Sequence, residues 1–376
     1  MNGFARQRYL LDFTVASLMR RPGRNLSLLL VYTLVVFLLA SAMLYSQAIK
    51  GKAAALLRDS PEVVVQRMEA GRHALMPVSY LERLGRLRGV AHVEGRLWGY
   101  YYDPVVAANY TVMAPDRDGA LPGQARIGAG IARVRGLAPG DVLSLRGYDG
   151  RPHAFTVAEV LPADSELVSA DLLLIAPADF RAFFGLPEDV YTDLALAVTN
   201  PAEVRQVARK LAERLPDCRP ILREEVLRTY ESVFDWREGL LLAVLAGAVC
   251  AFLIFAWDKA TGLSAEERRE IGILRAIGWE TGDVLRMKLW EGGLISFTAF
   301  CLGYGLAHIH VFHAGAPLFA GVMRGWSVLQ PHFALTPQVD ALQLTTLFLL
   351  SVVPYTVVTL VPVWRAATVD PDSIMR

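Results

Sequence analysis

Three histidines, His308, His310 and His313, cluster late in the chain, and imidazole is a common metal ligand. On a helix, positions 310 and 313 share a face while 308 lies to one side. No carboxylate or cysteine stands nearby to complete a ligand set, and polar residues at a membrane edge are the ordinary explanation. The three cysteines are too few for a disulfide scaffold. Cys250 and Cys301 fall in apolar runs and read as packing residues; Cys218 has no internal partner. There is no Ser/His/Asp set, no paired-carboxylate spacing, no metal-site motif and no G-x-x-x-x-G-K-[ST] phosphate loop. The expectation is a chain that catalyses no reaction, hydrolyses no ATP itself and needs no cofactor.

Other groupings have two readings each. Trp98, Tyr100 and Tyr102 alternate onto one face of a strand, with Tyr101 on the other. Core packing is the expectation, and contact with a partner or an apolar cargo the alternative. Asn25-Leu26-Ser27 and Asn109-Tyr110-Thr111 match a glycosylation sequon that arises often by chance. Gly303 and Gly305 either let helices approach closely or are tolerated helix glycines.

The elements that position these residues are read from composition and hydropathy. The chain has 376 residues, a mean hydropathy of +0.34 and 20% charged residues, with a net charge of +1. That balance excludes a general nucleic-acid binder and points to a membrane protein with a large water-facing part. Four stretches free of Asp, Glu, Lys and Arg are long enough to span a bilayer. The spans are placed at residues 25–49, 239–257, 291–310 and 341–364. Ala40-Ser41-Ala42 is like a cleavage site, but the apolar stretch is longer than a signal peptide uses, so the first span is read as an anchor. Lys and Arg concentrate in residues 1–24 and 258–290, whereas 311–340 carry only Arg324. By the positive-inside rule both termini, including the tail 365–376, are cytoplasmic and residues 50–238 and 311–340 lie outside.

The outer segment reads as α/β. A strand at 62–66 is followed by Ser79-Tyr80-Leu81-Glu82, a capping box. Leu81, Leu84 and Leu87 then repeat at helical spacing, and a second strand covers 90–102. The order recurs with a strand at 191–198, an Asn200-Pro201 helix start, a face of Val204, Val207 and Leu211, and a strand at 218–222. Two β-α-β units suggest a split ferredoxin-like repeat. Between them a β-rich insertion carries the turn cluster 136–141 and a hairpin around Asp149-Gly150. Helical continuations at 48–58 and 223–237 would join this domain to the first two spans as a short stalk.

On the inner side, just after the second span, residues 266–279 read EERREIGILRAIGW. Ile271, Leu274 and Ile277 recur at helical spacing, charges occupy the rest, and Gly278 is placed as a stop. From periodicity this is an amphipathic helix lying on lipid headgroups.

The run Arg269–Gly278, followed by Glu291 and Gly303, resembles the FtsX/MacB-like permease family. So does the tail Pro362-Val363-Trp364-Arg365-Ala366-Ala367, completed by Asp370-Pro371, and so does the order of one span, a large outer domain and three spans. The turn at 136–141 is similar to one common in MacB-like outer domains. The resemblance spans the chain in layout and is specific in the last part.

It implies the membrane subunit of a type VII ABC transporter in a bacterial cytoplasmic membrane. Such a subunit is dimeric, as a homodimer or heterodimer, and works with separate cytoplasmic ATPases; a periplasmic adaptor is a partner of some members. The inner helix would be the coupling helix. Ile271, Leu274 and Ile277 would fill an ATPase groove, Glu270 and Arg275 would make rim contacts, Gly272 would allow close approach and Gly278 the exit. The implied mechanism is mechanotransmission, in which ATP-driven motion of the inner ends reshapes the outer domain to export or extract a substrate. A regulator of a cell-wall hydrolase and a membrane-anchored sensor without an ATPase are the rival readings.

Overall fold

The computed structural model describes residues 3–20, 22–58, 60–85, 87–116, 119–261, 271–274, 276–324, 328, 329, 332, 335–337 and 339–368. The chain divides into a helical unit (Met1–Ala48, Trp236–Phe319, Thr336–Arg376) and a sheet-bearing unit (Ile49–Asp235, Ala320–Leu335).

The first helices are α1 (Gly3–Arg20) and α2 (Pro22–Leu56). The apolar run expected at 25–49 lies inside α2, which goes on unbroken as the continuation expected at 48–58 and ends at Leu56.

The sheet-bearing unit has β1 (Val63–Glu69), β2 (Arg72–Ala74), β3 (Met76–Pro77), α3 (Ser79–Gly85), β4 (Val90–Asp103), β5 (Ala108–Ala114), β6 (Gln124–Ile127) and α4 (Ala129–Arg135). It continues with β7 (Val142–Arg146), β8 (Pro152–Val160), α5 (Glu166–Ser169), β9 (Leu172–Ile175), α6 (Pro177–Phe184), β10 (Val190–Tyr191), β11 (Asp193–Val198), α7 (Val204–Arg214) and β12 (Cys218–Leu222). The large sheet runs β12-β1-β11-β4-β5-β9-β6-β8-β7, with β2 beside β1, and β10 pairs β3 apart from it. Tyr191, expected in the same strand as 193–198, thus belongs to a separate two-stranded ladder with Met76.

Two cores lie along this sheet because β4 is long enough to serve both. Residues Val90–Arg96 pair β11, and Leu97–Asp103 pair β5. The first core gathers Val63, Val65, Leu84, Leu194, Leu196, Val207 and Leu211 from β1, β11, α3 and α7. Asn200 caps as expected, its Oδ1 accepting from the Ala202 N–H at 3.1 Å. The second core gathers Tyr110, Val112, Ile127, Leu143, Phe155, Leu173, Phe180 and Phe183, and belongs to the block inserted between β4 and β11. Burial of these side chains supplies the driving force for each half.

Asp193 and Asp103 are buried carboxylates whose oxygens are met by charged and hydrogen-bonding partners, as buried charges must be. Asp193 takes both Arg96 Nε (2.7 Å) and Nη2 (2.8 Å) and the Trp98 Nε1–H (2.8 Å). Asp103 takes Arg135 Nη2 (2.6 Å), the Tyr110 hydroxyl (2.6 Å) and the Val105 N–H (3.0 Å). The aromatic strand corrects an expectation. Tyr101 packs against the second core, while Tyr100 and Tyr102 are 70% and 56% exposed. Alternation places Tyr100 and Tyr102 on the face opposite Tyr101.

The remaining helices are α8 (Arg223–Thr261), α9 (Thr281–Phe312), α10 (Pro317–Arg324) and α11 (Ala341–Thr368). Among the described residues, Asn25–Leu56, Thr281–Phe312 and Ala341–Val358 are long and apolar enough to cross a membrane. Residues 239–257, the second expected span, lie within α8. α9 begins ten residues before the span expected at 291–310, and α10 breaks a segment expected to be loop. Cys250 and Cys301, expected as packing residues, are exposed within this chain.

Within the helical unit α2 packs on α9 and α11. A Cβ on Gly303 would fall 2.8 Å from Val36 Cβ and 2.9 Å from the Thr33 carbonyl oxygen. The rings of Tyr32 and Tyr355 stack at 5.0 Å, and the Tyr32 hydroxyl donates to the Ser351 carbonyl.

Candidate functional site

The candidate site is the turn between residue 271 and the start of α9. Residues 271–274 are helical. The Ile277 N–H donates to the Ile273 carbonyl at 3.0 Å. Gly278 then takes φ +97°, a conformation that disfavours side chains. The Trp279 N–H returns to the Leu274 carbonyl at 3.0 Å, the six-to-one closure of a Schellman stop. Gly278 therefore sits where the chain leaves this turn in a left-handed conformation.

The expected apolar face does not hold together. Ile271 and Leu274 are buried within the chain, at 2% and 6% exposure, with Gly272 buried beside them. Ile277 is 69% exposed, and its exposed neighbour is Ile273 at 50%. Each three-residue step lags a helical turn by about 60°, so 271 and 277 end about 120° apart, whereas 273 and 277 stay within about 40°. Glu270 and Arg275 lie outside the described residues.

α1 supports this turn. Its Phe13 ring lies 5.4 Å from Trp279, with the Arg20 guanidinium 5.4 Å over Phe13. Trp290 Nε1–H donates to Gln7 Oε1 at 3.0 Å. Residues 1–24 were read only as a basic flank. Leu10, Phe13 and Thr14, at i, i+3 and i+4, were the signal for a packed helix, and Leu10 and Thr14 are buried. Further along α9, Lys288 Nζ meets Glu291 Oε2 at 2.6 Å with both side chains 16% exposed, so the Glu291 of the sequence motif is neutralised from one turn away. Among the described residues, this turn exposes two isoleucines, Ile273 and Ile277.

The histidines part company. His308 and His313 bring their rings to 6.1 Å, while His310 is buried against Phe37 (5.3 Å) and Phe319 (6.0 Å). His313 is the C-cap residue of α9, with its N–H donating to the Ile309 carbonyl at 3.0 Å. Among the described residues no three His, Cys, Asp or Glu side chains are grouped to hold a metal ion.

Residues 239–371 match the FtsX-like permease C-terminal family. The C-terminal part of the chain is an FtsX-like permease domain. That domain takes in the end of α8, the 271–279 turn, α9, α10 and α11. No curated protein matches the chain. Among solved structures, the extracellular domain of the noncanonic ABC-type transporter YknZ from Gram-positive bacteria aligns at 12% identity with a TM-score of 0.30, over 42% of this chain and 98% of that one.

Proposed function

We propose that the chain is the permease subunit of an ABC transporter, driven by a separate cytoplasmic ATPase and passing the motion to its sheet-bearing unit to export or extract a substrate. The observation that carries this is the continuity of α8: it starts directly after β12 at Arg223 and runs into the permease domain, which begins at residue 239. A helix of this length is a stiff rod, and α2 offers a second one ahead of β1. In this reading residues 239–257 are a fourth span, the termini are cytoplasmic, the protein is a dimer in the bacterial inner membrane, and the paired β-α-β units with strand order β12-β1-β11-β4 form a split ferredoxin-like repeat. ATP hydrolysis is assigned to the partner because the chain lacks a phosphate loop.

The docking residues are reassigned with the burial. Ile273 and Ile277 contact the ATPase, and Ile271 and Leu274 hold the turn in place. The test is purification of the tagged chain from its native membrane in mild detergent. A stoichiometric ATP-binding subunit is expected with the wild type and with Ile271→Val. It is expected to be lost with Ile273→Asp and Ile277→Asp, whose chains remain folded. An absence of any ATPase after crosslinking with nucleotide present would overturn the transporter reading and favour a sensor.

A further inference from the structure

β7 ends the large sheet beyond β8, and among the described residues no other strand pairs with it. It holds one unbroken register against β8, from Val142 opposite Thr156 to Arg146 opposite Pro152. Three bonds fix which backbone groups face β8. At one end the Val157 N–H donates to the Asp141 carbonyl at 2.8 Å, and at the other the Gly147 N–H donates to the Arg151 carbonyl at 2.9 Å. Between them the Thr156 N–H turns away from β7 to the Gly123 carbonyl at 3.0 Å. Successive residues of a strand aim their N–H and C=O groups at opposite edges. Leu143 and Leu145 therefore bond to β8, and the backbone groups of Val142, Ser144 and Arg146 point to the open edge.

The Arg146 N–H agrees with this phase, since it leaves the ladder and donates to the Tyr101 hydroxyl at 3.1 Å. The side chains alternate as well. Leu143 and Leu145 are buried in the second core, while Val142, Ser144 and Arg146 are exposed. Folds commonly blunt an edge with a proline, a bulge or a run of charge. β7 has neither proline nor register shift, and its one charge is Arg146.

We propose that the edge Val142–Arg146 is a binding site for an extended polypeptide segment of a partner or cargo protein, which adds antiparallel to β7 as a further strand. The edge itself defines the class of occupant. Donors and acceptors presented at every second residue are matched by another extended backbone, and not by a helix, whose own backbone groups are already spent, or by a lipid chain. The exposed side chains define its composition. An apolar residue stands opposite Val142 and an acidic one opposite Arg146, as cross-strand pairs favour. The two carboxylates nearest to Arg146 in sequence are otherwise engaged, Asp149 with Arg151 Nε at 3.6 Å and Asp141 with the Ala138 N–H at 2.8 Å. Binding at this edge needs no ATPase, so the site stands apart from the transporter reading.

The probe is a synthetic threonine-rich peptide in which a glutamate stands four residues before a valine, the spacing of Arg146 and Val142 read antiparallel. It is titrated into the full-length chain in lipid nanodiscs, with hydrogen exchange resolved to single amides. In the free chain the Val142 and Ser144 amides are expected to exchange about tenfold or more faster than those of Leu143 and Leu145. Saturating peptide is expected to slow Val142 and Ser144 by about tenfold or more and to leave Leu143 and Leu145 unchanged. Ser144→Pro removes an outward N–H without touching the β8 ladder, and Val142→Lys puts a charge on the edge. Each is expected to weaken peptide binding, read by fluorescence anisotropy, by about tenfold or more. Arg146→Glu is expected to prefer a peptide with lysine in place of the glutamate. Val142 and Ser144 amides as slow as their neighbours in the free chain would show that the edge is covered and overturn the site. A peptide that does not bind, binds without slowing those amides, or binds Val142→Lys as tightly as wild type would overturn it too. An unchanged preference in Arg146→Glu would overturn the acidic specification.

Discussion

Val63, the first residue of β1, is paired with Leu222, the last residue of β12. The Arg223 N–H donates to the Glu62 carbonyl at 3.0 Å, which makes 62–223 a hydrogen-bonded pair and 63–222 the closer, non-hydrogen-bonded kind. The carboxylate of Glu62 accepts in turn from the Val198 N–H at 2.5 Å on β11. The strand that follows α2 and the strand that precedes α8 are thereby locked to each other where they join those helices.

A disulfide at this pair is the first prediction. Non-hydrogen-bonded antiparallel pairs hold their Cα atoms about 4.5 Å apart, within the range a disulfide spans. The double variant Val63→Cys, Leu222→Cys should oxidise fully in the intact chain and raise stability by about 2–4 kcal/mol. If the two strands move as one body, ATP-linked activity of the oxidised protein should match that of the reduced protein. Gel mobility, thermal unfolding and ATPase turnover check the three statements, and lost turnover on oxidation would mean that the strands separate during the cycle.

The second prediction concerns pH. The Tyr80 hydroxyl donates to Asp217 Oδ2 at 2.6 Å. This bond is the main cause that holds the Asp217 carboxyl below its ordinary value, with Arg67 a lesser one. A depressed folded-state value contributes stability above the unfolded carboxylate range near about 4, which is lost as pH falls through the lower folded value. Tyr80→Phe should cost about 1 kcal/mol at pH 7, with the gap to wild type shrinking as pH falls towards about 3. Unfolding curves of both proteins across that range decide it; a gap of constant size would place the bond's worth elsewhere.

The layout of the fold was legible because it rests on local signals. The alternation of Val63 and Val65, the Asn200-Pro201 helix start and the face of Val207 and Leu211 each reported their element without knowledge of the rest. What was not legible depends on contacts distant in sequence. Tyr191 was drawn out of β11 by Met76, more than a hundred residues earlier. Leu329 lies in a stretch with no helical or strand period and becomes a core residue only once the inserted block exists to receive it. At the candidate site the spacing of Ile271, Leu274 and Ile277 was real, but Ile271 and Leu274 are buried while Ile277 is exposed, and spacing alone does not say which side is covered. Gly278 was legible for the opposite reason, since a positive φ is a property of one residue.

Cysteine chemistry offers the third prediction. Cys218 is buried, and burial first, then the Asp217 charge, push its thiol up to about 12. Thiolate is the reactive form, so Cys218 should be inert in the folded chain. In a Cys250→Ala, Cys301→Ala background, maleimide at pH 8 should leave the protein unmodified and should label it stoichiometrically after denaturation. Intact mass spectrometry reads both states, and fast labelling of the folded chain would show that β12 opens at the sheet edge.

The helical unit supplies the fourth. Gly303 has no room for a side chain, since a Cβ would meet Val36 at 2.8 Å and the Thr33 carbonyl at 2.9 Å. Val36 is a side chain that could shift, but the carbonyl belongs to the backbone of α2, so relief requires the helices to part. Gly303→Val should therefore destabilise the α2–α9 packing by roughly 1–3 kcal/mol, the usual cost of overpacking. Gly305, two residues on, has nothing within 4 Å of where its Cβ would be, and Gly305→Ala should be neutral or slightly stabilising by helix propensity. Thermal unfolding of the two variants in the same detergent separates the explanations. Equal losses would implicate glycine flexibility in α9, whereas a loss confined to Gly303→Val would fix the cause as the close approach of α2.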